Sequence, residues 1–176
     1  MDYCLVKLGH MVEKELQEDF KEHAVALLEK RGVSLLDIAD AACFLQKDYH
    51  EGLKADDLMP SVHKVLEKRE VQFAVMTACE IDRLAEEHQF HDKELERLLL
   101  NDAPLYGTDE VLAYGICNLY GSIALTNFGF IDKKKYGVIS RLNKAGKGSG
   151  TCTTFLDDIV GAIAAAAASR FAHEED

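Results

Sequence analysis

The chain has 176 residues, 48% of them hydrophobic and 29% charged, with a net charge of −11. That length supports one core without disulfide or metal staples, and the composition is that of a folded domain rather than a disordered chain. The acidic balance argues against nucleic acid as a partner and against general attraction to an anionic membrane.

Helical signals run in chain order from the start. Val12 to Lys30 is amphipathic, with Leu16, Phe20, Ala24, Leu27 and Leu28 at helical spacing, and ends at Arg31-Gly32. Ser34 to Asp37 has the form of a capping box and opens a helix that buries Ile38, Ala41, Ala42 and Leu45 and stops near His50-Glu51-Gly52. Met59-Pro60-Ser61 fits the start of a third helix, running to Lys68-Arg69. From Glu70 the apolar residues Val71, Val75, Ala78, Ile81 and Leu84 or Ala85 predict a long helix with a polar outer face. A shorter helix covers Lys93 to Leu100, and Asn101 to Gly107 is a connection.

Thr108-Asp109-Glu110 reads as the cap of an uncharged helix over Val111 to Phe128, with Gly129 releasing the chain. The stretch Val111 to Ile131 lacks charge for long enough to cross a bilayer, but its three glycines and its Asn, Ser and Thr residues favour a buried core helix. Lys134 to Lys144 predicts another turn or two of helix, followed by the loop "KAGKGSG". Thr153 or Thr154 then caps a last helix that is apolar on every side and alanine-rich, with Gly161, Ala165 and Ser169 at four-residue steps. No run alternates long enough to predict a sheet. The fold expected is all-α, one compact multihelical domain over 1–176 with a buried central helix and a more variable first helix over 1–30.

Five cysteines, odd in number and without a close pair, point to a reducing cytoplasm rather than a disulfide framework or a thiolate zinc site. The N-terminus lacks the basic lead-in of a secretory signal. His88 and His91 lie amid acids near a helix end, where solvated histidines are usual. There is no nucleophile elbow, Walker loop or dinucleotide fingerprint.

Two places combine a threonine, adjacent acids and an uncharged helix: Asp109-Glu110 and Asp157-Asp158. The bland reading is a pair of charged helix caps, and Thr154 with Asp157 makes a capping-box pattern. One cap uses only one acid, because neighbouring residues lie about 100° apart around a helix, so Asp158 is left over. If the two helix mouths meet, four carboxylates converge, and a hard cation such as Mg²⁺ is expected between them. Glu110, Tyr114, Asn118, Ser122 and Thr126 make a polar row at four-residue steps, either an internal hydrogen-bond ladder or the wall of a polar cleft. Asp132 to Gly150 sets six basic residues against one acid, either a solvated loop or a phosphate-facing patch.

"TDEVLAYGI", "NFGFIDKKKYGVI" and "GTCTTFLDDIVGAIAAA" follow in the order of motifs in the phosphatidylglycerophosphatase A family, which the chain resembles from about Arg31 to His173. The resemblance is closest to that family's soluble YutG-like branch. It implies a Mg²⁺-dependent phosphomonoester hydrolase acting on a glycerophosphate headgroup or a related phosphorylated small molecule. It implies Asp109, Glu110, Asp157 and Asp158 as catalytic acids and, with Asp132, as metal ligands, and it implies Lys135 for phosphate, with Lys133 beside it as a second phosphate-binding candidate. Tyr136 and Ala113 stand where the family's motifs have proline and glycine, the family's early glycine motif is missing, and so are the hydrophobic spans of its membrane enzymes, so no transmembrane span is expected. The protein expected is cytoplasmic, with contact at a membrane surface and homo-oligomerisation as options. The competing expectation is a non-enzymatic helical oligomer that binds an anionic ligand or a protein partner and uses the acids as caps.

Overall fold

The computed structural model describes residues 20–146 and 150–174. Helix α1 covers 20–30, and the part of the first predicted helix before Phe20, with Leu16, lies outside the described residues. There follow α2 (Leu35–Gln46), α3 (Ala55–Leu66), α4 (Arg69–Glu86), α5 (Lys93–Leu100), α6 (Thr108–Cys117), a 3₁₀ turn (Asn118–Tyr120), α7 (Gly121–Lys134), α8 (Gly137–Ala145) and α9 (Leu156–Glu174). The described residues contain no strand.

The last helix is the axis of the fold. Every residue of α9 from Leu156 to Ser169 is buried, and α2, α3, α4, α6, α7 and α8 all pack on it. Alanine makes this possible: a thin helix lets six neighbours approach, and what it lacks in side-chain volume they supply. Its small-residue stripe faces α7. A Cβ built on Gly161 would lie 3.5 Å from the Phe128 ring, and Ser169 Oγ donates to the Tyr120 carbonyl at 3.0 Å. On another side Gln46 Nε2 donates to the Ala168 carbonyl at 3.1 Å. Ala165 has no exposed surface, so Ala165→Leu is expected to overpack the axis and cost about 1–3 kcal/mol. A chemical melt showing no loss would contradict the central position of α9.

The predicted helix over Val111 to Phe128 is instead a hairpin. Tyr114 and Phe128 meet edge to face with ring centroids 5.4 Å apart; in one straight helix they would be separated by about 21 Å. The chain reverses at the 3₁₀ turn and at Gly121, whose φ of 80° and ψ of −166° only glycine adopts at low cost. Gly129 does not end α7, which runs on to Lys134. Nor is the segment buried on all sides: Val111, Tyr114, Leu119, Ile123 and Phe130 are exposed. By length and composition Thr108–Lys134 would suffice to cross a membrane, but folded back on itself it is two short helices.

Two smaller expectations also change. Helix α3 begins at Ala55, not Met59, because Asp57 accepts from the Lys54 N–H at 2.9 Å and starts the helix earlier. Pro60 therefore sits inside α3, leaving the Asp56 carbonyl without its helical donor. The polar row from Glu110 to Thr126 is broken at Asn118 and is exposed throughout, so it does not form a buried ladder. Ser122 and Thr126 instead join Gln46, Tyr49 and His50 around a surface cleft of about 640 Å³ at the far end of α9 from Asp157. The capping box of Ser34 and Asp37 forms as expected.

Candidate active site at the N-terminal end of the central helix

The hairpin brings both of its ends to the start of α9. Asp109 enters on the first turn of α6, Asp132 on the last turn of α7, and Asp157 and Asp158 on the first turn of α9. Lys135 joins them. It terminates α7 in the left-handed conformation, with φ 47° and ψ 58°, which turns its ammonium back among the acids. Lys135 Nζ lies 2.5 Å from Asp132 Oδ1, 2.9 Å from Asp157 Oδ2 and 4.0 Å from Asp158 Oδ1. The residue after it is pinned from outside, as the Tyr136 ring stacks on Phe44 at 4.0 Å.

Burial and repulsion define the electrostatics. Asp109, Asp157 and Asp158 are 8%, 6% and 5% exposed, so each carboxylate has lost most of its hydration. Burial drives Asp158 up to about 9, and the charges of Asp157 and Asp132 add to the rise. Asp157 is also pushed up by burial, but Lys135 opposes the shift and holds it at about 6. Asp109 is raised by burial too, with its own helix amides pulling the other way. Burial opposes the charge on Lys135, yet Asp157 and Asp132 outweigh it and hold that ammonium above the ordinary lysine range. One cation among four carboxylates leaves the cluster short of positive charge.

The other predicted site residues lie elsewhere. Glu110 is exposed and its side chain stays outside the buried group; its N–H donates to Asp109 Oδ1 at 3.0 Å. Lys133 is exposed on the outer side of α7. The basic segment is not one patch: Lys135 is inside the acid cluster, while Arg141 bonds the Gly32 carbonyl and Asp37. His88 pairs with Glu96 at 3.1 Å rather than with His91. Among the described residues no group of three or more His, Cys, Asp or Glu side chains is placed to hold a metal ion, so the acids would have to draw closer together to bind one.

The caps read from the threonines do not form. Thr153 Oγ1 donates to the Leu142 carbonyl and Thr154 Oγ1 to the Leu99 carbonyl, which ties the loop before α9 to α8 and α5. The start of α9 is capped from another helix. Asp82 of α4, with no exposed surface, accepts from the N–H groups of Phe155 at 3.1 Å and Leu156 at 3.0 Å. Burial pushes its carboxyl up to about 7 against the pull of those two donors. Arg31 braces the same loop, gripping Glu86 with two bonds of 2.7 Å and reaching the Cys152 carbonyl. Glu86 in turn accepts from the Cys152 N–H at 2.8 Å. The loop that leads into Asp157 and Asp158 is thus held by α4, α5, α8 and Arg31, and the two acids are spared from capping their own helix.

The model of the family described as phosphatidylglycerophosphatase A matches residues 27–173, from α1 through the acid cluster to the end of α9. The chain belongs to the phosphatidylglycerophosphatase A family. Within that likeness it is 50% identical to the uncharacterized protein YutG of Bacillus subtilis (strain 168) over 163 residues, 93% of this chain and 96% of YutG. The crystal structure of the low temperature requirement C protein from Listeria monocytogenes superposes with a TM-score of 0.85 at 47% identity, covering 89% of this chain and 96% of that one. That of ypjQ from Bacillus subtilis does so with a TM-score of 0.85 at 44% identity, covering 90% and 96%. The central buried helix and its ring of neighbours are therefore a fold shared with these proteins.

Proposed function

We propose that this member of the phosphatidylglycerophosphatase A family is a divalent-metal-dependent phosphatase that cleaves a phosphate monoester, with a glycerophosphate headgroup as the substrate chemistry. The observation that carries this reading is the convergence of Asp132, Asp157 and Asp158 on Lys135, with Asp109 near enough to feel the same charge and with Asp109, Asp157 and Asp158 nearly buried. Fixed negative charge in a desolvated place is costly unless a cation arrives to use it. The donor set fits Mg²⁺: it offers only carboxylate oxygens, the ligands that hard ion takes.

Asp109, Asp157 and Asp158, with Asp132, would hold the ion, which supplies Lewis-acid polarisation of a phosphoryl oxygen and of a bound water. The chain's own residues do the positioning. Lys135 fixes the directions of Asp132 and Asp157 and presents a cation beside the place where phosphoryl charge grows. Asn143 Nδ2 lies 3.5 Å from Asp157 Oδ2 and steadies that carboxylate from α8. Asp82 and Arg31 keep the loop before α9 in place through the bonds described above.

Purified protein with Mg²⁺ is expected to release inorganic phosphate from phosphatidylglycerophosphate in mixed micelles or from soluble glycerol 3-phosphate, and EDTA should abolish the release. Turnover of the lipid alone would identify a headgroup at a surface as the substrate, and turnover of both would identify the shared ester. No release from either, with Mg²⁺ or Mn²⁺ present, would reject the reading.

A further inference from the structure

Among the described residues, five of the nine exposed large apolar side chains belong to the α6–α7 hairpin: Val111, Tyr114, Leu119, Ile123 and Phe130. From Val111 to Ile131 the hairpin carries no charged residue, in a chain that is 29% charged. A water-facing surface of that length without one charge is depleted in the way the core of an interface is. By their fractional exposures, the water-facing residues from Val111 to Phe130 present on the order of 700 Å², close to the roughly 800 Å² that each partner gives a stable interface.

Two glycines indicate what covers this surface. Each described glycine either has a positive φ or has a close neighbour that would meet a Cβ, except Gly115 and Gly129. Both lie inside helices, both are exposed, and a Cβ on either would meet nothing within 4 Å. Glycine weakens a helix interior relative to alanine, and nothing within the chain offsets that here. Each directly follows one member of the Tyr114–Phe128 contact, so bare backbone faces outward at one height on both helices. Val111 and Phe130 stand toward the open end of the hairpin and Leu119 and Ile123 toward its turn. Bulk at the ends and glycine between them let a second helical surface approach closely. A bilayer gains from bulky apolar groups and gives no partner to the exposed Asn118 and Ser122, and the net charge of −11 opposes an anionic one. An unlike protein is chosen largely by charge, and this face has none. Two copies of an acidic chain also repel, but where uncharged faces meet the charges stay apart and are screened.

We propose that the α6–α7 hairpin is the seam of a homodimer, in which two copies lay their hairpins face to face about a two-fold axis, the commonest symmetry of soluble oligomers. Gly115 and Gly129 are the points of closest approach, and the five apolar side chains are buried around them. The seam backs the two helices that carry Asp109 and Asp132, and it stands whether or not the acid cluster is catalytic.

Sedimentation velocity of the wild type should show a species of twice the chain mass that dissociates on dilution. Gly115→Arg and Gly129→Arg put a long charged side chain where the single chain has open space. Both variants should keep helical circular dichroism and a cooperative melt while weakening the dimer at least about tenfold. If either fails to fold, Val111→Glu, at a side chain already 66% exposed, gives the same reading. A wild type that stays monomeric at every concentration would overturn the proposal, and so would folded variants that dimerise as tightly as the wild type. Wild-type monomer that sediments with phosphatidylglycerol vesicles, and that the same substitutions release, would overturn it by giving the face to a lipid surface.

Discussion

Asp158→Asn is expected to abolish phosphate release and to leave the fold at least as stable as the wild type in metal-free buffer. The two effects have one cause. Asp158 is 5% exposed, and burial with the charges of Asp157 and Asp132 raises it from 3.8 to about 9. A group whose folded value is raised holds its proton more tightly in the folded state, so its contribution to stability is full below the unfolded value and is lost as pH rises through the folded one. For Asp158 that window runs from about 4 to about 9, with a limiting slope near 1.4 kcal/mol per pH unit. Asparagine carries no such proton and no charge to bury, so the variant's stability should fall less steeply across the same range. Mg²⁺ should stabilise the wild type most at the alkaline end, where the ionised carboxylate most needs a cation, and should do little for the variant. Melts in EDTA and in Mg²⁺ across that range, run beside a phosphate-release assay, test both halves. A variant that keeps turnover, or that loses several degrees in EDTA, would show that Asp158 is a structural acid and not a working one.

Asp109, Asp157 and Asp158 could be read from the chain as acids at helix mouths, while Asp132 came only from the family's motif. Two adjacent carboxylates at one helix mouth outnumber what a cap can use, and Asp158 is the surplus. Lys135, by contrast, was legible only through the family's motif. Nothing in "KKK" distinguishes Lys135 from Lys133, and the difference is made by a left-handed residue at the end of α7 that sends one ammonium inward.

The same uncharged pattern led to two outcomes. Ile159 to Ser169 is buried on every side, while Val111 to Phe130 folds into a surface hairpin with several apolar side chains exposed. An uncharged run says that a helix tolerates neighbours; it does not say whether they come. The distinguishing mark was Gly121, a residue that can reverse the chain and that sits midway between Asp109 and Asp132. Had that glycine been read as a turn, the meeting of Asp132 with Asp109 would have followed, because a hairpin returns its end to its beginning. The exposed polar row then needs no internal partners at all.

Asp82→Ala is expected to be the most destabilising single substitution around the site, costing about 3 kcal/mol or more, against about 1 kcal/mol for an ordinary cap. The sequence carried its mark: Val71, Val75, Ala78 and Ala85 are buried on one face of α4, and Asp82 falls on that same face. A carboxylate in an apolar stripe needs donors, and here they are the two free N–H groups at the start of α9. Alanine strands both donors where no water reaches them and empties the space the carboxylate filled. Asp82→Asn keeps one acceptor but turns an amide N–H toward the second donor, so an intermediate loss is expected. Because Phe155 and Leu156 lead directly into Asp157, any folded Asp82 variant should also lose turnover, without Asp82 touching substrate. Urea denaturation of both variants measures the first effect, and phosphate release at saturating Mg²⁺ measures the second. A loss no larger than an ordinary cap, with turnover intact, would mean that α9 holds its own first turn and that the bond from α4 merely accompanies it.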